Sequence, residues 1–118
     1  YVSINRNARD AKRRGDIEQI RSALELYRSD KGLYPEVGSL GWIDASALNT
    51  GNVDTGLVDT YLPSVPSDPQ LTPPYRYRGI NNYYGYCLEA KVENASLETD
   101  TCGSIETGNG YNYGTKNP

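Results

Sequence analysis

The 118-residue chain contains no histidine, methionine or phenylalanine, and only two cysteines and one tryptophan. Without histidine, Ser/His/Asp and Cys/His catalysis are excluded within this chain. Two cysteines with no histidine and no CxxC pattern also make a poor zinc site. No stretch approaches the roughly 20 apolar residues that a membrane-spanning helix needs. Either the protein is cytosolic, or a targeting or anchoring segment ahead of Tyr1 has been removed. Large aliphatics are scarce: Leu, Ile and Val together number 22, about a fifth of the chain and near the level where disorder becomes a concern. A net charge of only −3 and 11 tyrosines argue against disorder. The composition predicts one small, folded, Tyr-rich domain with a modest core.

What is present is organised around Asp16 to Lys31. Ile17, Ile20, Leu24 and Tyr27 follow an i, i+3, i+7, i+10 spacing, flanked by Ala23, and fall on one stripe of a helix. Glu18, Arg21, Glu25 and Arg28 occupy its other faces. Lys31 in the last turn, Gly32 able to take a left-handed C′ conformation, and Pro35 beyond it end the helix. Ile4, Ala8 and Ala11 continue the spacing upstream, so one helix over residues 1–32 is expected, its N-terminal half projecting from the body. The alternative makes residues 1–15 a frayed basic tail with Asp16 as N-cap.

Charge is split along the chain. Residues 1–31 carry 8 basic and 5 acidic side chains, and the remainder carries 4 and 10. Arg6, Arg9, Lys12, Arg13 and Arg14 form a basic run. A nucleic-acid surface is one reading. Asp10 and Asp16 inside the run, and the acidic remainder, favour a solvated or membrane-proximal helix face, and no nucleic-acid partner is expected.

Residues 33–74 form a long loop rich in Gly, Pro, Ser, Asn and Asp, with helical turns expected after Asp44 and over Thr55 to Leu62. Leu40, Trp42, Ile43, Leu57, Val58, Tyr61, Leu62 and Val65 can anchor it to the body. From Tyr75 the period becomes two, and residues 75–93 read as an antiparallel hairpin turning at Gly79-Ile80-Asn81-Asn82. Tyr84, Tyr86, Leu88, Ala90 and Val92 are its apolar face, set to cover the helix stripe; Tyr83, Cys87, Glu89 and Glu93 are its wet face. Residues 94–118 are a loop region with short strands expected near Ser96–Thr101 and Tyr111–Tyr113.

Chemistry-bearing constellations are weak. Glu89 and Glu93 could do acid/base work, but on a wet strand face they read as surface charges. Tyr75, Tyr77, Tyr83, Tyr84 and Tyr86 could stack sugars or bases; core filling in a Phe-free domain is the favoured role. No catalytic or cofactor-binding residue is assigned, and the chain reads as a non-enzyme. A Cys87–Cys102 disulfide is preferred over a metal site. It contributes roughly 3 kcal/mol for a loop of that size and implies an oxidising compartment.

Three passages carry a resemblance. ARDAKRRGDIEQIRSALELYRSDKGLYP (Ala8 to Pro35), YLPSVPSDP (Tyr61 to Pro69) and PYRY (Pro74 to Tyr77) stand in the order found in soluble domains of type IV pilins and type II secretion pseudopilins. The chain resembles that family over about half its length. The resemblance implies an α+β pilin-like fold: one long N-terminal amphipathic helix packed on a small antiparallel β-sheet, a long αβ-loop, and a disulfide-bounded C-terminal region. It implies an apolar helix ahead of Tyr1, anchored in the inner membrane before assembly. It also implies partners in copies of the same chain and in a pilus or secretion assembly machinery, giving an extracellular or cell-surface filament. A minor or tip pilin, or an adhesin recognising glycan or DNA, is the alternative. Where the major pseudopilin carries an S-x-G-x-D-G calcium passage, this chain reads CLEAKVEN, so no cofactor is expected, with Glu98, Asp100 and Glu106 as a residual acidic cluster for calcium. That departure and the cysteine pair favour a pilin built on a pseudopilin-like plan.

Overall fold

The computed structural model describes residues 2–37, 41–49, 56–58, 60–71, 73–99 and 110–117. Helix α1 runs unbroken from Val2 to Lys31. It passes through Gly15, where no heavy atom beyond the local helix backbone lies within 4 Å of the position a β-carbon would occupy. Gly32 ends it at φ 84°, donating its amide to the Arg28 carbonyl at 2.8 Å, as a left-handed C′ residue does. Ile17, Ile20, Leu24 and Tyr27 are all buried in the core.

The sheet is an antiparallel meander in the order β1-β2-β3-β4. Its strands are β1 (Ile43–Asp44), β2 (Arg76–Ile80), β3 (Gly85–Ala90) and β4 (Tyr113–Asn117). Tyr77 pairs with Leu88, and Tyr86 with Asn117. This register places Tyr77, Tyr86 and Leu88 together in the core with the α1 stripe. Tyr34 meets Tyr86 edge-on at 4.7 Å, and Tyr27 meets Tyr61 likewise at 5.5 Å. Rings thus fill the volume that phenylalanine would otherwise take. Tyr75, Tyr77 and Tyr86 are buried, which removes them as a stacking platform for sugars or bases.

The structure corrects several expectations. Tyr84 is not part of the sheet face; it is 58 % exposed. Asn81, Asn82 and Tyr83 all take positive φ, at 52°, 55° and 66°. The turn therefore extends to Tyr84, whose amide donates to the Asn81 carbonyl at 3.1 Å, and the alternation starts only at Gly85. Tyr83 lays its ring over Gly79, where a β-carbon would meet a ring carbon at 2.2 Å.

Nor does β3 have a wet side. All six of its residues are buried, Cys87 and Glu89 included. β3 lies between β2 and β4, with α1 on one face and a second layer on the other. The loop expected over residues 33–74 contributes β1 and a 3-10 turn at Ala45–Asn49. A 3-10 turn at Ala95–Leu97 stands where a strand was expected, and β4 begins at Tyr113. No cysteine among the described residues is free; Cys102 lies outside them, as do Asp100 and Glu106.

Candidate functional site

The basic run on α1 is divided: Arg6, Lys12 and Arg14 are exposed, as a solvated face requires, whereas Arg9 is half-buried and Arg13 buried, and the N-terminal half of the helix does not stand clear of the body. Residues 5–8 are exposed, but Asp10, Arg13 and Asp16 are buried. Arg13 is 2 % exposed and anchors a cluster drawn from three parts of the chain. Its guanidinium donates to Asp68 Oδ2 at 2.8 Å, to Asp10 Oδ1 at 2.8 Å, to Glu93 Oε2 at 2.7 Å and to Gln70 Oε1 at 2.7 Å. Arg9 grips both oxygens of Glu93 at 2.7 Å. Lys12 bonds Asp16 at 2.5 Å and the Ser67 carbonyl at 2.9 Å. Tyr75 donates its hydroxyl to Asp16 at 2.6 Å.

Asp10 does more than pair with Arg13. Its two oxygens accept the amides of Glu93 and Asn94, each at 2.9 Å, capping the chain where it leaves β3. Burial alone would raise the Asp10 carboxyl, but these amides and Arg13 outweigh it and hold the group below its ordinary range. The bidentate bond from Arg9, reinforced by Arg13, lowers Glu93 to about 2. Burial pushes the Tyr75 hydroxyl up, and the neighbouring Asp16 carboxylate adds to the shift. The cluster is a clamp that ties α1 to the loop at 67–70 and to the exit of β3.

A second ionic site lies on the face of the sheet away from α1. Arg76 donates Nε to Glu89 Oε1 at 2.8 Å, and its guanidinium stands 3.9 Å from the ring centres of both Trp42 and Tyr111. A planar, weakly hydrated cation suits such stacking. This layer covers Glu89.

Each carboxylate in these sites bonds an arginine, lysine or tyrosine, and Glu89 keeps one buried oxygen, Oε2, without a hydrogen-bond partner. Both sites escaped sequence reading. Arg13 lies in an ordinary-looking charge run, and its partners Asp68 and Glu93 are 55 and 80 residues away. The signal that was available is Asp10 three residues before Arg13 inside a basic stretch.

The chain matches the family of type II secretion system protein G over residues 1–98. It belongs to that family. No curated protein and no solved structure matches it. Of the two branches suggested by the sequence motifs, the match is to the secretion pseudopilins, a structural component of the secretion system rather than an enzyme family. The matched span takes in α1, the loop, the hairpin and the clamp; β4 and Cys102 lie beyond it. In the CLEAKVEN passage Glu89 bonds Arg76 through Oε1 only, its Oε2 accepting no hydrogen bond, and Glu93 bonds Arg9 and Arg13. Among the described residues no group of three potential metal ligands occurs, and no helix is long and apolar enough to cross a membrane.

Proposed function

We propose that this pseudopilin is the structural subunit of a thin extracytoplasmic filament, built by packing an apolar helix ahead of Tyr1 against copies of itself. The observation that carries the reading is the family match over residues 1–98. It is supported by the single 30-residue helix Val2–Lys31, clamped firmly to the body from Asp10 onward. A helix fixed in this way transmits its direction to the domain, so that packing of an upstream apolar segment sets the position of each domain on the filament wall. Before assembly that segment anchors the subunit in the inner membrane, and the secretion machinery is its partner. The oxidising compartment accommodates a Cys87–Cys102 link.

The test is to express the full-length precursor with its assembly machinery and examine the cells by electron microscopy. Thin filaments that bind antibody against this domain are expected. Diffuse, unpolymerised protein under those conditions overturns the proposal. Mass spectrometry of the exported protein without reduction should find one intramolecular Cys87–Cys102 link; two alkylatable thiols would rule that link out.

A further inference from the structure

Shortly after β3 the chain reads Asn94-Ala95-Ser96, its only Asn-X-Ser/Thr triplet, with alanine rather than proline at the centre. That is the pattern of an N-glycosylation acceptor. A three-residue pattern recurs by chance, so its surroundings decide. All three residues are exposed. Asn94 Oδ1 accepts the Ser96 amide at 3.0 Å and the Ser96 hydroxyl at 2.8 Å. A backbone amide can only donate, which fixes oxygen as the inner atom of the Asn94 side chain and nitrogen as the outer one. Nδ2 has no partner among the described residues.

This geometry gives the spacing a chemical meaning. As Nδ2 gives up a proton, charge builds on Oδ1, and two donors already aimed there stabilise it. Capping alone does not account for the pair. Asn94 Oδ1 caps the 3-10 turn Ala95–Leu97 through the Ser96 amide, a task that needs no hydroxyl at residue 96 and leaves Nδ2 idle. The main chain is meanwhile held from behind. Asp10 accepts the amides of Glu93 and Asn94, and Leu97 donates its amide to the Asn94 carbonyl at 3.0 Å. The turn is thus tied to α1 by its backbone while the side chains of Asn94 and Ser96 stay outside.

There is also room at the site. A groove of about 410 Å³ beside Asn94 is lined by Arg6, Asn7, Glu93 and Ala95, a volume within the range of small-ligand pockets. Arg6 and Asn7 are exposed and offer N–H donors of the kind that sugar hydroxyls accept.

We propose that Asn94 is an N-glycosylation site, with the groove between its turn and α1 giving the attached sugar room. The donor is an oligosaccharide carried on a lipid pyrophosphate, and a membrane-bound transferase catalyses the step. Nδ2 bonds to the anomeric carbon as the bond from that carbon to the pyrophosphate oxygen breaks. The electron pair leaves with the lipid pyrophosphate and the Nδ2 proton passes to a base of the transferase, so nothing is oxidised or reduced. The site rests on the extracytoplasmic reading above, because such acceptors belong to secreted proteins.

The test is mass spectrometry of the full-length protein exported by its own host, reduced and cut after lysine and arginine. The peptide running from Val92 to Lys116 should carry an oligosaccharide mass that fragmentation assigns to Asn94. That mass should vanish in Ser96→Ala and persist in Ser96→Thr, which keeps the hydroxyl. Asn94→Asp keeps the capping oxygen but has no Nδ2, so it should lose the mass while its melting temperature stays at that of the parent. An unmodified peptide in protein recovered outside the cytoplasm overturns the proposal, and so does an oligosaccharide that survives in Asn94→Asp. Fractionation separates this from the underlying reading: protein confined to the cytoplasm defeats the extracytoplasmic reading first, and the site with it.

Discussion

Arg13 is the residue on which the largest number of separate segments depends. It is the shared cation for Asp10, Asp68 and Glu93, and removing one partner of a buried ionic cluster leaves the others uncompensated. Arg13→Met should therefore cost about 3–5 kcal/mol, measured by urea denaturation. Arg13→Lys should recover little of it, because one ammonium cannot form the forked bonds to Asp68 and still reach Gln70. Stability in either variant equal to that of the parent would show that the clamp is incidental. The same carboxylates set the acid response. Asp10 and Glu93 titrate lower in the folded chain than unfolded, so the unfolded state takes up protons first as pH falls. Their contribution is intact above the unfolded value of about 4.3 for Glu and is lost as pH falls towards about 2, where Glu93 titrates in the fold. Denaturation midpoints followed from pH 7 to pH 2 should fall more steeply in the parent than in Glu93→Gln.

Helix α1 shows what sequence can and cannot reveal about an element. Its apolar stripe at Ile17, Ile20, Leu24 and Tyr27 is legible because the 3.6-residue period needs no knowledge of the partner. The helix ending at Gly32 is legible for a similar local reason. Long-range pairing leaves no such local mark, which is why Arg9 and Arg13 read as part of a solvated run. Alternation along β3 gives the direction of each side chain but not what covers it. Glu89 therefore reads as wet until Arg76, stacked on Trp42 and Tyr111, is seen to close over it. Tyr84 was misassigned because three consecutive left-handed residues, none of them glycine, lengthened the turn. Gly15 gives a test at the element scale. It sits in a continuous helix with open space where its β-carbon would stand. Gly15→Ala should raise stability by about 1 kcal/mol, the usual difference in helix propensity. A neutral or destabilising result would mean that α1 is not regular at that point in solution.

On the scale of the whole molecule, two ionic layers on opposite sides of one sheet hold together a domain with few large aliphatics. The clamp fastens α1 to its surroundings, and the Arg76 layer closes the far face. In the proposed filament, association rests on the packing of an apolar segment upstream of Tyr1. The isolated 13.0 kDa chain should therefore sediment as a monomer, and association appears only when an upstream apolar segment adds its own packing; a stable dimer of residues 1–118 would contradict this division of labour. The tryptophan stacked on Arg76 has a spectroscopic consequence. Trp42 is the sole indole in the chain, and its emission reports on the far face alone. The far-ultraviolet dichroism of the molecule is dominated by α1, on the opposite side. Heating one sample while recording both signals compares the two faces directly, with no label and no substitution. Superimposable curves would mark the domain as one cooperative unit, whereas an emission change that runs ahead of the dichroism would show the outer layer parting before the helix.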